Sequence, residues 1–468
     1  MHSGFGDVAL FGLGASTAAA AEYLAGRAEG AVSSLTLYAG PSSPASAAKA
    51  APLEARGVRV VWDTAQVERS FDLGVVSPGI PCTSAFYQAA ERACAELVSE
   101  PELAWRESPR DWVAVTGTNG KTTTTTLAAE LLRAGGVASR AVGNIGVPPI
   151  AGVADRPAGE VFVAELSSFQ LHSSLRLVPR AAVLLNVTPD HLAWHGSLEA
   201  YAADKERVFA NMGPRDLCLV GTDAACRAVG NRLRTRGLRV VVLGEEPACC
   251  TADAAWVAAD GRLTVRLHGR DFALARSGEM ALKGPHNLQN ALAASALALE
   301  MGADAPRVAA ALAAFAPLAH RIEPCGRVAG VDFYDDSKAT NTDAVTVALA
   351  AFEPGRTVVL LGGHDKGTDL TDLARTVAAR CKGAVVFGEA AGRFGAALEA
   401  AGLPADFELR RAAHLRDALD AARAVAAPGD AVLLSPACSS FDEFSGYAER
   451  GDAFKGWVGE LAAAEAGA

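Results

Sequence analysis

The sequence predicts an α/β protein of three domains, Rossmann-like at both ends around a central P-loop ATPase-type domain. Three observations carry this expectation. Short apolar runs alternate with helical segments along the chain, the pattern of parallel strands joined by crossover helices. Several of these runs end in glycine or in clustered polar residues, as strand ends facing a ligand crevice do. At 468 residues the chain also exceeds one ordinary core, and about three domains is the natural prior. The expected divisions are 1–99, 100–317 and 318–468.

In the first division, Val8-Ala-Leu-Phe, a helical stretch at 18–24, Leu35-Thr-Leu-Tyr, Val58-Arg-Val-Val and Leu73-Gly-Val-Val follow one another, and Ser77-Pro-Gly-Ile closes the last run. The first turn, Gly12-Leu-Gly14-Ala-Ser16-Thr17, resembles a dinucleotide fingerprint with Thr17 in place of its third glycine. The second strand ends on Tyr38-Ala39, without the acid that would bind a ribose hydroxyl. This division therefore reads as a phosphate-binding unit and not as an NAD site.

The second division opens with the most informative stretch, Val113-Ala-Val-Thr-Gly117-Thr118-Asn119-Gly120-Lys121-Thr122-Thr123. An apolar strand runs into a glycine loop and then into a helix with Leu127, Leu131 and Leu132 at its apolar positions. In such a loop Gly117 and Gly120 let backbone N–H groups approach polyphosphate oxygens, Lys121 neutralises charge, and the Thr122 hydroxyl can hold Mg2+. Val115 stands where the general pattern has its first glycine, so the loop is a shortened variant. Glu165 ends the run Val161-Phe-Val-Ala beside that loop, a position suited to Mg2+ or its water; a solvated strand-end glutamate is the alternative. Asp190 and His191 follow the run Ala182-Val-Leu-Leu-Asn186 on a polar turn, where a histidine more often belongs to a site. Tyr201 and Lys205 share one helix face at i,i+4, yet by residue type alone Lys205 reads as a surface lysine paired with neighbouring acids. Leu217-Cys-Leu-Val, Val240-Val-Val-Leu and Leu263-Thr-Val-Arg-Leu are further strands before a helix at 287–301, and 317–320 is the expected boundary.

The third division carries Val331-Asp-Phe-Tyr, Thr357-Val-Val-Leu-Leu, Ala384-Val-Val-Phe and Ala431-Val-Leu-Leu, a doubly wound unit. Three of its strand ends are polar: Asp335-Asp336-Ser-Lys338-Ala-Thr340-Asn, Gly362-Gly-His-Asp-Lys366 and Ser435-Pro-Ala-Cys-Ser-Ser440-Phe441. They imply one shared crevice.

Composition narrows the function classes. A net charge of −10 argues against a sequence-independent nucleic-acid binder, which needs clustered Lys and Arg. No apolar run reaches the length of a membrane span, and Met1-His2-Ser3-Gly4 lacks the basic region of a secretory signal, so a soluble cytoplasmic protein is expected. The nine cysteines have no metal-ligand spacing, and only Cys249-Cys250 are adjacent; reduced, largely buried thiols follow. The alanine-rich stretches at 18–21 and 309–314 read as helix interiors.

Together these segments resemble the Mur ligases of peptidoglycan synthesis over nearly the whole chain. Gly143-Asn144-Ile-Gly, Glu165-Leu-Ser167-Ser-Phe-Gln170-Leu, Asn186-Val-Thr-Pro-Asp-His191, Gly284-Pro-His-Asn287-Leu-Gln-Asn290-Ala and His320-Arg321 join the motifs already named in order and spacing. The segment Asp336-Ser-Lys-Ala-Thr-Asn implies the branch that adds D-glutamate to UDP-N-acetylmuramoyl-L-alanine. The resemblance implies a UDP-sugar-binding first domain and an ATP-dependent ligase working through an acyl phosphate. It assigns catalysis to Lys121, Asn144, His191 and Lys205. Thr122 and Glu165 would hold one Mg2+, while His191 and Lys205, bearing a CO2-derived carbamate, would serve a second. Residues 117–123 with Asn287, Asn290, Arg321 and Asp336 would hold ATP. Gly14, Ser16, Thr17, Ser77, Asn144, Ser167 and Gln170 would meet the nucleotide sugar. Lys338, Thr340, Lys366, Ser440 and Phe441 would bind D-glutamate, whose two carboxylates suit a lysine. All implied partners are small molecules, with no nucleic acid and no membrane, and a monomer is expected. Where the family often presents an Asp-Thr-Arg-like turn to uridine this chain has Ala39-Gly40-Pro41, and Tyr447 stands where some relatives have Phe.

Three rival functions are weaker. A folylpolyglutamate-type ligase shares the phosphate loop but has no use for the first hundred residues. A regulatory or transport NTPase leaves the polar strand ends of the third division unexplained, and a noncatalytic nucleotide-sugar binder leaves Lys121, Glu165, His191 and Lys205 without purpose. Domains carrying three substrates are expected to close around an acyl phosphate, hinging near 99–111 and 317–321.

Overall fold

Four sheets organise the chain in the computed structural model, which describes residues 4–27, 31–247, 249, 252–282, 284–316 and 318–466. The readings that fell on Met1, His2, Ser3, Cys250 and Pro317 lie outside the described residues. By compactness the chain divides into one unit of Met1–Met280 with Gln289–Ala314, and another of Ala281–Leu288 with Phe315–Ala468.

The first unit holds three of the sheets. In spatial order the first sheet runs Arg59–Trp62, Val32–Gly40, Gly6–Phe11, Phe71–Val76, Cys94–Ser99, all parallel. The helix Ala15–Ala25 buries Thr17, Ala20, Ala21 and Leu24, one face at i, i+3, i+4 and i+7. Thr17 is thus a core position of that helix. A second parallel sheet runs Arg239–Val242, Leu217–Val220, Ala181–Leu184, Trp112–Thr116, Val161–Glu165, Ser139–Gly143. Its phosphate-loop strand Trp112–Thr116 is central and buried throughout, so the loop that follows is anchored at both ends. The helix after it, Lys121–Ala134, buries Thr123, Leu127, Leu131 and Leu132 as expected. Strands Ala254–Val257, Arg262–Leu267 and Arg270–Arg276 form a small antiparallel sheet.

The second unit carries the sheet Glu323–Val328, Val331–Asp335, Ala431–Ala437, Thr357–Gly362, Gly383–Phe387, Glu408–Arg411, antiparallel only at its first pair. The three polar strand ends foreseen in the sequence therefore fall on three adjacent strands. The expected helix at 287–301 is observed as Pro285–Glu300, and the alanine-rich stretches lie within Ala15–Ala25 and Ala305–Ala314. Strands at Cys94–Ser99, Ser139–Gly143, Ala254–Val257, Arg270–Arg276, Glu323–Val328 and Glu408–Arg411 were not foreseen. No helix among the described residues is long and apolar enough to cross a membrane. The eight described cysteines are free thiols, five of them buried.

Candidate active site

The phosphate loop is built from backbone that only glycine adopts easily. Gly117 has φ 149° and Gly120 φ 82°. A Cβ at Gly117 would stand 3.0 Å from the Leu185 Cβ, and one at Gly120 2.5 Å from Asn290 Oδ1, so Asn290 packs against the loop. Asn186 templates it from the other side: its Oδ1 accepts from the Asn119 N–H at 2.8 Å, and its Nδ2 donates to the Asn119 carbonyl at 3.1 Å. Thr118 is buried, and its hydroxyl bonds the Thr188 backbone and the Tyr201 hydroxyl. Lys121 Nζ folds over the loop and donates to the Gly117 and Thr118 carbonyls at 2.9 and 2.8 Å. Lys121, Thr122 and Thr123 form the first turn of the helix Lys121–Ala134.

Glu165 stands at the end of the adjacent strand, only 1% exposed, which removes the solvated-glutamate alternative. Asn144 Nδ2 donates to its Oε1 at 2.9 Å, while its Oε2 is buried without a hydrogen-bond partner. An unpaired buried carboxylate oxygen is costly, and a cation would satisfy it. Gly143 lets this contact form, because a Cβ there would lie 2.3 Å from the Glu165 carbonyl oxygen.

Lys205 overturns the surface-lysine reading: it is 1% exposed. Its helix, Leu198–Glu206, turns Tyr201 and Lys205 inward together, with Nζ 4.4 Å from the Tyr201 ring centroid. That Nζ donates to the Gly117 carbonyl at 2.8 Å, the same oxygen Lys121 reaches. Burial above all, then the Lys121 ammonium, holds the Lys205 amine well below the ordinary lysine range. His191 sits at the mouth with a left-handed φ of 53° and half its side chain exposed. Partial desolvation lowers its imidazole, with Lys205 and Lys121 acting in the same sense and Asp190 opposing.

Beneath these groups lies a buried chain that sequence reading missed. Ser168 Oγ meets His195 Nε2 at 2.9 Å, and His195 Nδ1 meets Asp204 Oδ2 at 2.8 Å. His172 Nδ1 meets the other Asp204 oxygen at 2.9 Å. Burial raises the Asp204 carboxyl, but the bonds from His172 and His195 outweigh it and hold it below the usual range. Phe169 stacks on His195 at 5.4 Å and meets His191 edge-on at 4.9 Å.

The other residues expected to meet the nucleotide sugar behave differently from one another. Gly14 and Ser77 come together, since a Cβ at Gly14 would lie 3.1 Å from Ser77 Oγ; Ser16 is partly exposed beside them. Thr17 is fully buried, and its hydroxyl donates to the Gly12 and Gly14 carbonyls, so it shapes the turn. Gln170 is likewise turned inward. Its Oε1 accepts from the Ser167 N–H at 2.9 Å in a reciprocal capping box, leaving Ser167 as the outer member.

In the second unit a cavity of about 210 Å3 is lined by Asn287, Arg321, Ile322, Pro324, Tyr334 and Phe352 among others. Tyr334 and Phe352 meet edge to face at 5.0 Å, an aromatic wall suited to a flat base and absent from the sequence reading. Asp336 accepts from Ser435 Oγ at 2.7 Å, and burial pushes its carboxyl up to about 7. Lys366 Nζ donates to the Thr340 carbonyl at 2.8 Å, and Lys338 Nζ lies 5.2 Å over the Tyr447 ring. Ser440 is buried, whereas Phe441 is 70% exposed. Arg450, also missed, is buried among carbonyls: its guanidinium donates to the Ser337, Cys438 and Ser439 carbonyls and to Ser337 Oγ, at 2.9 to 3.1 Å. It thereby ties two of the polar strand ends together.

Comparison with known proteins agrees with this arrangement. Residues 115–298 match the model of the Mur ligase middle domain, and 320–438 that of the Mur ligase glutamate ligase domain. A UDP-N-acetylmuramoylalanine–D-glutamate ligase of Pelotomaculum thermopropionicum is 43% identical over 83% of each chain. One of the same name from Streptomyces avermitilis is 39% identical over 96% of this chain and 97% of its own. Among solved structures, a pseudomurein peptide ligase type C from Methanothermus fervidus aligns with TM-score 0.57 at 14% identity, over 92% of this chain and 96% of that one. UDP-N-acetylmuramate-alanine ligase MurC from Thermotoga maritima aligns with TM-score 0.54 at 19% identity, over 97% and 99%; both show a common fold. With identity sustained across most of its length, this chain belongs to the Mur ligase family, in its UDP-N-acetylmuramoylalanine–D-glutamate ligase branch.

Proposed function

We propose that this chain joins the amine of D-glutamate to the L-alanine carboxylate of UDP-N-acetylmuramoyl-L-alanine, converting ATP to ADP and phosphate. The carboxylate attacks the γ-phosphorus, giving an acyl phosphate as the bond to ADP breaks. The amine then attacks the acyl carbon, loses a proton, and phosphate leaves as the amide forms.

The observation that carries this reading is the loop of Gly117 and Gly120 with two amines on one carbonyl and an orphaned Glu165 oxygen at its edge. Lys121 would leave the loop carbonyls for phosphate oxygens, whose developing negative charge its ammonium would stabilise. Thr122 and Glu165 fit one Mg2+, and His191 with a Lys205 carbamate fits a second. Magnesium bound there would supply Lewis-acid stabilisation of the phosphoryl oxygens. A carbamate forms from a neutral amine, and burial, reinforced by the Lys121 ammonium, shifts the Lys205 amine well below the ordinary lysine range, toward that form. Asn144 orients Glu165. Asn287, Arg321 and Asp336 hold the adenosine half against Tyr334 and Phe352, while Asn290 keeps the phosphate loop in shape. Ser77, Gly14, Ser16 and Ser167 face the nucleotide sugar. Lys338, Thr340, Lys366, Ser440 and Phe441 receive D-glutamate. Residues 1–99, 100–317 and 318–468 divide these tasks in a cytoplasmic monomer.

Mass spectrometry tests the specificity. With ATP, Mg2+ and the nucleotide sugar, D-glutamate offered separately should give the amide product, and L-glutamate, L-lysine and meso-diaminopimelate should not. Product from diaminopimelate and none from D-glutamate would overturn the assignment.

A further inference from the structure

The chain Ser168–His195–Asp204 has the hydrogen-bond order of a hydrolytic triad without access to solvent. The ionised Asp204 accepts from His195 Nδ1, so Nε2 is the acceptor and the Ser168 hydroxyl donates to it. In a hydrolase that order activates the serine. Here Ser168 is 2% and His195 7% exposed, and Phe169 covers the imidazole, so no substrate reaches the hydroxyl. What the chain does instead follows from the segments it joins. Ser168 opens the helix Ser168–His172, whose cap is Ser167. His195 ends the short helix Leu192–His195 that follows His191. Asp204 precedes Lys205 on the helix Leu198–Glu206, and His172 supplies a second bond to the same carboxylate.

Resting on the proposed function, we infer that His195 and Asp204 are positioning residues that fix the Ser167 turn, His191 and Lys205 in one geometry. His195 touches no reacting atom. It sets the separation between the side chain facing the nucleotide sugar and the amine at the phosphate loop. Groups that orient ligating residues in this way commonly change activity by about 10- to 100-fold when removed.

Three variants test it: His195→Phe, which keeps the ring on Phe169 but loses both nitrogens, Asp204→Asn, and Ser168→Ala, the mildest for folding. The readouts are kcat, the separate KM values for ATP and nucleotide sugar, thermal melting, and the 13C NMR signal of the Lys205 carbamate after 13C-bicarbonate labelling. In His195→Phe kcat should fall about 10- to 100-fold and the nucleotide-sugar KM should rise, while the ATP KM stays put. Ser168→Ala should show the same split more weakly, and Asp204→Asn should weaken the carbamate signal. Wild-type kinetics in all three variants would overturn the inference. So would a parallel rise of both KM values with lowered melting, the mark of general loosening. A wild-type chain unable to use D-glutamate would instead overturn the function on which the inference rests.

Discussion

Lys205 shows how much chemistry one burial decision imposes. A lysine amine beside a second ammonium, both directed at the Gly117 carbonyl, destabilises the unliganded chain. The proposed function gives a reason to keep it there, since a neutral amine would accept CO2 and the resulting carbamate would offer a metal its oxygens. Lys205→Met should therefore trade activity for stability. The ligand-free variant is expected to melt higher than wild type, by about 1–2 °C for each kcal/mol recovered, as scanning calorimetry would read. Its ligase rate should fall by at least about 100-fold. A variant that melts lower and ligates normally would mean that Lys205 serves only packing. By residue type and spacing this lysine reads like a surface one, and only the family resemblance marked it out: Tyr201 at i−4 gives its face, but whether that face points inward is decided by the sheet it packs on. Glu165 was more legible, because the end of a parallel strand beside a phosphate loop is a position with few uses.

At the scale of elements, the strands that sequence reading missed are all edge strands. Cys94–Ser99 and Ser139–Gly143 close their parallel sheets, Ala254–Val257 and Arg270–Arg276 flank Arg262–Leu267, and Glu323–Val328 and Glu408–Arg411 bound the last sheet. An edge strand has one free side and needs no continuous apolar run, so Glu96, Arg140 or Arg410 can sit within it and hide its pattern. Central strands of the parallel sheets such as Trp112–Thr116 and Thr357–Gly362, largely apolar, were readable. The His172, His195 and Asp204 network escaped for another reason: its members sit on three short helices that follow two different strands, Val161–Glu165 and Ala181–Leu184, and meet only when those helices pack. Glu100 acts at the same scale. Its carboxyl is buried, accepts from the Ile150 N–H at 2.6 Å in the helix Pro149–Val153, and is pushed by burial up to about 8. Between the ordinary glutamate value of about 4.5 and about 8 the folded chain thus holds a proton that the unfolded chain has lost. Stability contributed by this group is full below that window and declines as pH rises through it, by up to about 1.4 kcal/mol per pH unit. Glu100→Gln should flatten the fall of melting temperature across the same window. Parallel wild-type and variant melts against pH would contradict this account of the carboxyl.

Over the whole molecule, the family motifs are local in sequence and survive as strand-end loops, which is why the chemistry was legible before the geometry. The compact units were less so, because their composition depends on packing: the short segment Ala281–Leu288 belongs with residues after 314, although its helix continues into the first unit. Asn287 and Asn290, three residues apart in one motif, consequently serve different units, the first at the aromatic cavity and the second at the phosphate loop. The central claim is that every strand-end cluster serves one coupled reaction. Phosphate release from ATP and Mg2+, followed with each substrate omitted in turn, tests it most directly. Release that requires both UDP-N-acetylmuramoyl-L-alanine and D-glutamate is the predicted result; release at the same rate without either would contradict the ligase and leave a phosphate-loop NTPase.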